Sequence, residues 1–177
     1  MMSLKRSLFL AFAVCVLVFV AVPGSAADDP PLRRPDAALA PQDVVSIQVE
    51  ALQHNDRPGP DAGIRQTWAL AHPDNQRMTG PLSRFARLLR SPGYAVLLNH
   101  RSHRIEPGPR TADQALFRVR IIGSDGLAYV FIWVLRPAEV DGETVWLTTS
   151  VTQARALGER LTRSGHPVPV EASRLHG

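Results

Sequence analysis

The segment Leu127 to Leu135, LAYVFIWVL, presents an apolar or aromatic side chain at every position. A strand with one wet face alternates apolar and polar residues, whereas this one offers little to water on either side. It is expected to be a central strand covered on both faces, and the rest of the chain must be fitted around it. Upstream, Ala115 to Ile122 does alternate, with Phe117, Val119 and Ile121 on one face and Leu116, Arg118 and Arg120 on the other. Ser124-Asp125-Gly126 joins the two as a hairpin signal. Downstream, Asp141-Gly142 turns again, and Thr144 to Val151 sets Val145, Leu147 and Thr149 against Thr144, Trp146 and Thr148. His103 to Glu106 is short and polar, the pattern of an edge strand.

Before Tyr94 the period is helical. Val44, Val45, Ile47, Gln48, Val49, Ala51 and Leu52 recur at helical spacing, with Pro41 suited to the first turn. Asn55 to Pro60 ends that helix, and Asp61 can cap a second in which Ile64, Trp68 and Ala71 share a face. His72-Pro73 is expected to stop it. Thr79-Gly80-Pro81 opens a third helix, with Leu82, Phe85, Ala86 and Leu89 inward and Ser91-Pro92-Gly93 closing it. Three helices followed by an antiparallel meander define an α+β domain.

A chain of 177 residues, 45% apolar and 20% charged, fits one globular domain. Its first 27 residues read as a signal peptide. Lys5 and Arg6 precede the apolar run Leu8 to Val22, and Pro23-Gly24 breaks the run before the small residues Ser25, Ala26 and Ala27. Cleavage after Ala26 or Ala27 fits, which predicts a periplasmic or secreted protein without a membrane span; an uncleaved anchor is the alternative. Losing Lys5 and Arg6 takes Lys+Arg from 20 to 18 against 16 acids, so the net charge falls from +4 to +2. Such a weak field argues against a nucleic-acid partner. The single cysteine, Cys15, leaves with the signal, which excludes disulfides and thiolate chemistry afterwards. Residues 28–40 read as a flexible spacer and 41–151 as the domain. Residues 152–177 read as a tail, helical around Ala154, Leu157 and Leu161 or disordered.

The run from Val44 to Ile105 carries Trp68, Ala71-His72-Pro73, Gly80-Pro81, Phe85 and Pro92-Gly93-Tyr94 in order. With Trp133 in FIWVLRP, Trp146 in VWLTTSV and Thr149-Ser150-Val151, it resembles the family called domain of unknown function 4864. The likeness covers Pro41 to Val151, and the tail departs from it. No activity is assigned to the family, so no site residue transfers. The resemblance implies a nuclear transport factor 2-like (SnoaL-like) fold: a curved antiparallel sheet wrapped by N-terminal helices into a cone with a cavity.

In such a cone Trp68, Tyr94, Phe131, Trp133 and Trp146 are candidates to line the cavity, with Arg118 and Arg120 joining them if their face is the concave one. Otherwise those arginines, like Arg84, Arg87 and Arg90, form a solvated face. His72 with Asp74 could make a base and its orienter, although a turn at a helix end accounts for both. His100 and His103 are three apart, which on a strand sends them to opposite faces and argues against a metal pair. No nucleophile elbow or phosphate loop is present, and no cofactor is expected. The expected function is a binding module for a small apolar or amphipathic ligand or a protein partner. An isomerase, dehydratase or hydrolase using a cavity His, Asp or Tyr is the alternative. Val130, Ile132 and Val134 offer a face for a homodimer.

Overall fold

Pro41 opens the first helix, α1 (Pro41–Gln53), where a residue without an N–H loses nothing. The Asp43 carboxylate accepts the Ala40 N–H at 2.9 Å and tidies the same end. Val44, Val45, Gln48, Val49 and Leu52 form its buried stripe, at the spacing expected. In this computed structural model the described residues are 31–152, with the backbone of 155–161 and 167–169. The expected signal segment and the first residues of the spacer lie outside them. Within the spacer, the Gln66 amide grips both sides of Arg33, accepting its N–H at 2.8 Å and donating to its carbonyl at 2.9 Å.

Helix α2 (Ala62–Ala69) follows, and its capping differs from expectation. Asp61 stands at the cap position with φ 60 and makes no capping bond; its carboxylate pairs with Arg90 instead. The work passes to Asn55, whose side-chain oxygen accepts the Ile64 N–H at 3.1 Å and whose carbonyl accepts the Gly63 N–H at 2.9 Å. A Cβ on Gly63 would stand 2.1 Å from the Ala51 carbonyl oxygen, so only glycine lets α1 and α2 come this close.

His72-Pro73 does more than end a helix. Pro73 is the first residue of a further helix, α3 (Pro73–Thr79), with His72 as its cap: Nδ1 accepts the Asp74 N–H at 3.1 Å. The described chain therefore has four α-helices where three were expected. Helix α3 buries none of its own residues. It hangs on the sheet through the Thr148 carbonyl, which accepts the His72 N–H at 2.9 Å and the Asn75 amide at 3.1 Å. Helix α4 (Leu82–Leu89) turns Phe85, Ala86 and Leu89 inward as expected. The chain then passes through a single 3₁₀ turn, Ala95–Leu97, into the sheet.

Strands β1 (Ser102–Arg110), β2 (Ala115–Ile122), β3 (Leu127–Val140) and β4 (Glu143–Val151) make the antiparallel meander. The molecule is thus an α+β domain with an open sheet. Phe117, Val119, Ile121, Phe131, Trp133 and Leu135 are buried with the stripes of α1 and α4 in one core. Among the described residues, no second layer covers the other face of LAYVFIWVL. Val130, Ile132 and Val134 are only half-buried, and Ile132 and Val130 are in register with the exposed Arg118 and Arg120. Long arginine stems beside aliphatic residues stand where a second layer was predicted.

Two departures bear on the site. The register slips between Val134, opposite Ser150, and Leu135, opposite Thr148, so Thr149 is an extra residue. The slip reverses the expected order: Thr148 is buried, and Thr149 turns its hydroxyl to the Val134 carbonyl at 2.9 Å. The helix expected around Leu157 is instead strand β5 (Arg155–Leu161), with a short β6 (Pro167–Pro169) beside it. Strand β3 outreaches β4, which leaves the first half of β3 open on the side away from β2, and β5 pairs there. At the handover Thr152 donates its N–H to the Ile132 carbonyl at 3.0 Å, and its hydroxyl oxygen accepts the Ile132 N–H at 3.0 Å.

Candidate functional site

A cavity of about 220 Å³ lies where α1, α3 and α4 meet the end of β4. Its wall is mainly apolar, from Leu52, Phe85, Leu89, Leu97 and Trp133, and Met78 stands at the rim with 76% of its surface exposed. Gln48 occupies the floor. It is completely buried, and its side chain ties three elements together. The amide oxygen accepts from Trp133 Nε1 at 3.1 Å and from the Thr148 hydroxyl at 2.7 Å, while Nε2 donates to the Thr67 carbonyl at 3.1 Å. Tyr94 closes one side, its hydroxyl donating to the Val151 carbonyl at 3.0 Å. Burial pushes that phenol above its ordinary pKa. No Asp, Glu, His, Lys or Arg is among the lining residues, so the cavity is uncharged.

Of the seven ligand-site residues expected from sequence, the fold brings two, Trp133 and Tyr94, to the cavity wall. Phe131 lies behind them, its ring centroid 6.0 Å from Trp133 and 6.4 Å from Tyr94. Trp68 supports the wall from outside, 5.0 Å from Phe85. Trp146 is half-buried away from the cavity, with the Arg110 guanidinium 5.3 Å above its ring. Arg118 and Arg120 are exposed, alternating with the buried residues of β2, so their face is not the one that meets the helices. Nor do His72 and Asp74 reach the cavity; both serve the start of α3.

The histidine pair corrects another expectation. His100 and His103 are not sent apart: their rings meet edge to face, with Nε2 of His100 2.9 Å from Nδ1 of His103. Strand parity did not apply, because His100 lies outside β1, which begins only at Ser102. His100 Nδ1 lies 2.7 Å from the Leu97 carbonyl and must donate to it. Nε2 therefore accepts, and His103 donates. Burial holds the His100 pKa down to about 4 despite that carbonyl, with the neighbouring imidazoles adding to the shift. His103 is lowered for the same first reason, partly offset by Glu50. Among the described residues no group of three or more His, Cys, Asp or Glu is placed to hold a metal ion. Among them, too, no helix is long and apolar enough to cross a membrane.

Gln48 and Thr148 are the residues that sequence reading missed as parts of a site. Gln48 stood on the apolar stripe of α1, and an amide on such a stripe needs buried partners; that was the available signal. Thr148 gave none, because only the register slip turns it inward.

The class defined by these features is an α+β domain whose helices cover one sheet face and enclose a neutral cavity. Residues 35–161, more than two-thirds of the chain, match the family described as a domain of unknown function (DUF4864), and the chain belongs to that family. The match runs through β5, so this part of the expected tail lies within the family's span. Neither the curated proteins nor the solved structures contain a match.

Proposed function

We propose that this domain is an exported binding module that holds a small, neutral, largely apolar guest in the cavity above Gln48. Export is supported by the basic, apolar and small-residue order of the first 27 residues. The curved, cone-like geometry of the nuclear transport factor 2-like fold is supported by helices that precede and cover one face of an antiparallel sheet. The observation that carries the reading is the uncharged wall: apolar side chains around a few polar groups already held in hydrogen bonds. An apolar cavity of ~150 Å³ suffices for a benzene-sized guest, so this one fits a single substituted ring. A carboxylate or ammonium would enter without a counter-charge, at a prohibitive desolvation cost. Catalysis is less well supported, because the one ionisable group present, Tyr94, is committed to Val151 and is raised away from a base's range.

Titration of the full chain with toluene, followed by methyl NMR, tests the reading. Saturable shifts at Leu52, Leu89 and Leu97 are expected, and Leu97→Trp should abolish them by filling the space. Shifts that never saturate, or that fall on the outer sheet face, refute a cavity ligand.

A further inference from the structure

We propose that the molecule carries a second binding site, separate from the apolar cavity, which takes a phosphomonoester dianion into a hollow lined by Arg33, Arg57 and Arg65. The hollow measures about 510 Å³ and lies where the end of α1, the loop to α2 and the start of α2 face the segment 31–33. That volume is ordinary for a small-molecule pocket. His54 adds a ring to the wall, and Leu32 and Pro58 give it apolar surface. Among the described residues, no Asp or Glu lines it.

The three guanidiniums come from three stretches of chain, so the fold gathers them. The Gln66 side chain holds both backbone groups of Arg33, and Gln66 is itself buried. That clamp draws a segment with no helix or strand of its own onto α2 and brings Arg33 to the hollow. Arg65 is steadied by its Nη1, which donates to the Pro60 carbonyl at 2.7 Å. Neither the Arg33 nor the Arg57 guanidinium has an ion pair or hydrogen bond among the described residues. The acids of the same loop turn elsewhere: Asp56 accepts from the Asn99 amide at 2.8 Å, and Asp61 pairs with Arg90. Like charges gathered without a counter-charge repel one another, and an entering anion turns that repulsion into attraction. Guanidinium forks bond phosphate oxygens in pairs. Several such forks suit a tetrahedral dianion better than a carboxylate, which has one charge and two oxygens in one plane. An inorganic phosphate fills only a small part of this volume, and the apolar surface suits an organic body, hence an ester.

Glycerol phosphate and glycerate, which differ in their anionic group, test this by NMR titration of the full chain. Saturable shifts at the backbone amides of Arg33, Arg57 and Ala62 are expected with the phosphate, and about tenfold weaker binding with glycerate. Arg33→Gln and Arg57→Gln should each weaken the phosphate about 3–10-fold. Neither guanidinium has a bond to lose, so both variants should fold. Arg118→Gln makes the same charge change on the exposed sheet face and should alter binding by less than about twofold. Vesicles containing phosphatidic acid separate the two sources of the group. Sedimentation with them, reversed by glycerol phosphate, assigns it to a lipid headgroup, and binding of the soluble ester alone assigns it to a free compound; either upholds the site. Glycerate binding as tightly as the phosphate overturns the phosphoryl assignment. Equal losses in all three variants, or no saturable shift, overturn the site, and neither result touches the toluene test of the apolar cavity.

Discussion

Gln48 and His100 are both polar and almost wholly buried, yet they hold the molecule in opposite ways. Gln48 reaches across the fold, bonding partners 19, 85 and 100 residues away on α2, β3 and β4. Among the described residues, the His100 ring bonds Leu97 and His103 alone, three residues to either side. The amide carries no charge at any working pH, whereas the imidazole is neutral only while protons are scarce. One residue joins the layers; the other is held as a neutral imidazole within one of them.

The largest effect that would break this contrast is on the amide. Gln48→Met strands the Trp133 N–H and removes the Thr67 and Thr148 bonds, and should cost about 2–5 kcal/mol in urea unfolding. Adding Trp133→Phe should cost less than the two single changes summed; strict additivity would deny the coupling.

Acid probes the other side. The folded pKa of His100 lies near 4, below the ordinary 6.5 of an unfolded histidine. As pH falls from 6.5 toward 4, the unfolded chain takes up a proton that the folded one refuses, so stability declines across that window. The loss should approach about 2–3 kcal/mol, with His103 acting in the same sense. Denaturation at stepped pH reads it, and His100→Gln should flatten that slope. An unchanged slope would move the acid sensitivity elsewhere.

Smaller effects sharpen the same division between long-range and local bonds. Asn55→Ala removes the borrowed cap of α2 and should lower the unfolding free energy by about 1–2 kcal/mol. Thr152→Val, which only loosens the handover from β4 to β5, should cost about 0.5–1 kcal/mol. Hydrogen exchange at Ile132 should report the loosening directly.

What the sequence displayed follows the same line. Strand β2 was readable to the residue because Arg118 and Arg120 interrupt a strict apolar alternation, and α1 and α4 because their stripes hold the helical period. Helix α3 was hidden because His-Pro stops one helix and starts another with the same two residues. Strand β5 was hidden because its partner is an edge of β3 that exists only after β4 has ended. In the site, Trp133 and Tyr94 were visible as large aromatic side chains, but so were Trp68, Phe131 and Trp146, which do not line the cavity. The misplaced arginines were a question of which face curves inward, which alternation alone does not answer. Gln48 was visible as a member of a stripe, while its role depended on partners up to 100 residues distant.

Thr148 bonds in two directions at once. Its hydroxyl touches the floor amide, its N–H goes to the Leu70 carbonyl, and its own carbonyl carries α3 through His72 and Asn75. Floor and doorway thus share a single hinge pin. Because the entrance hangs on the main chain of this residue and the floor only on its side chain, replacing the threonine by valine would release the floor amide and leave α3 seated.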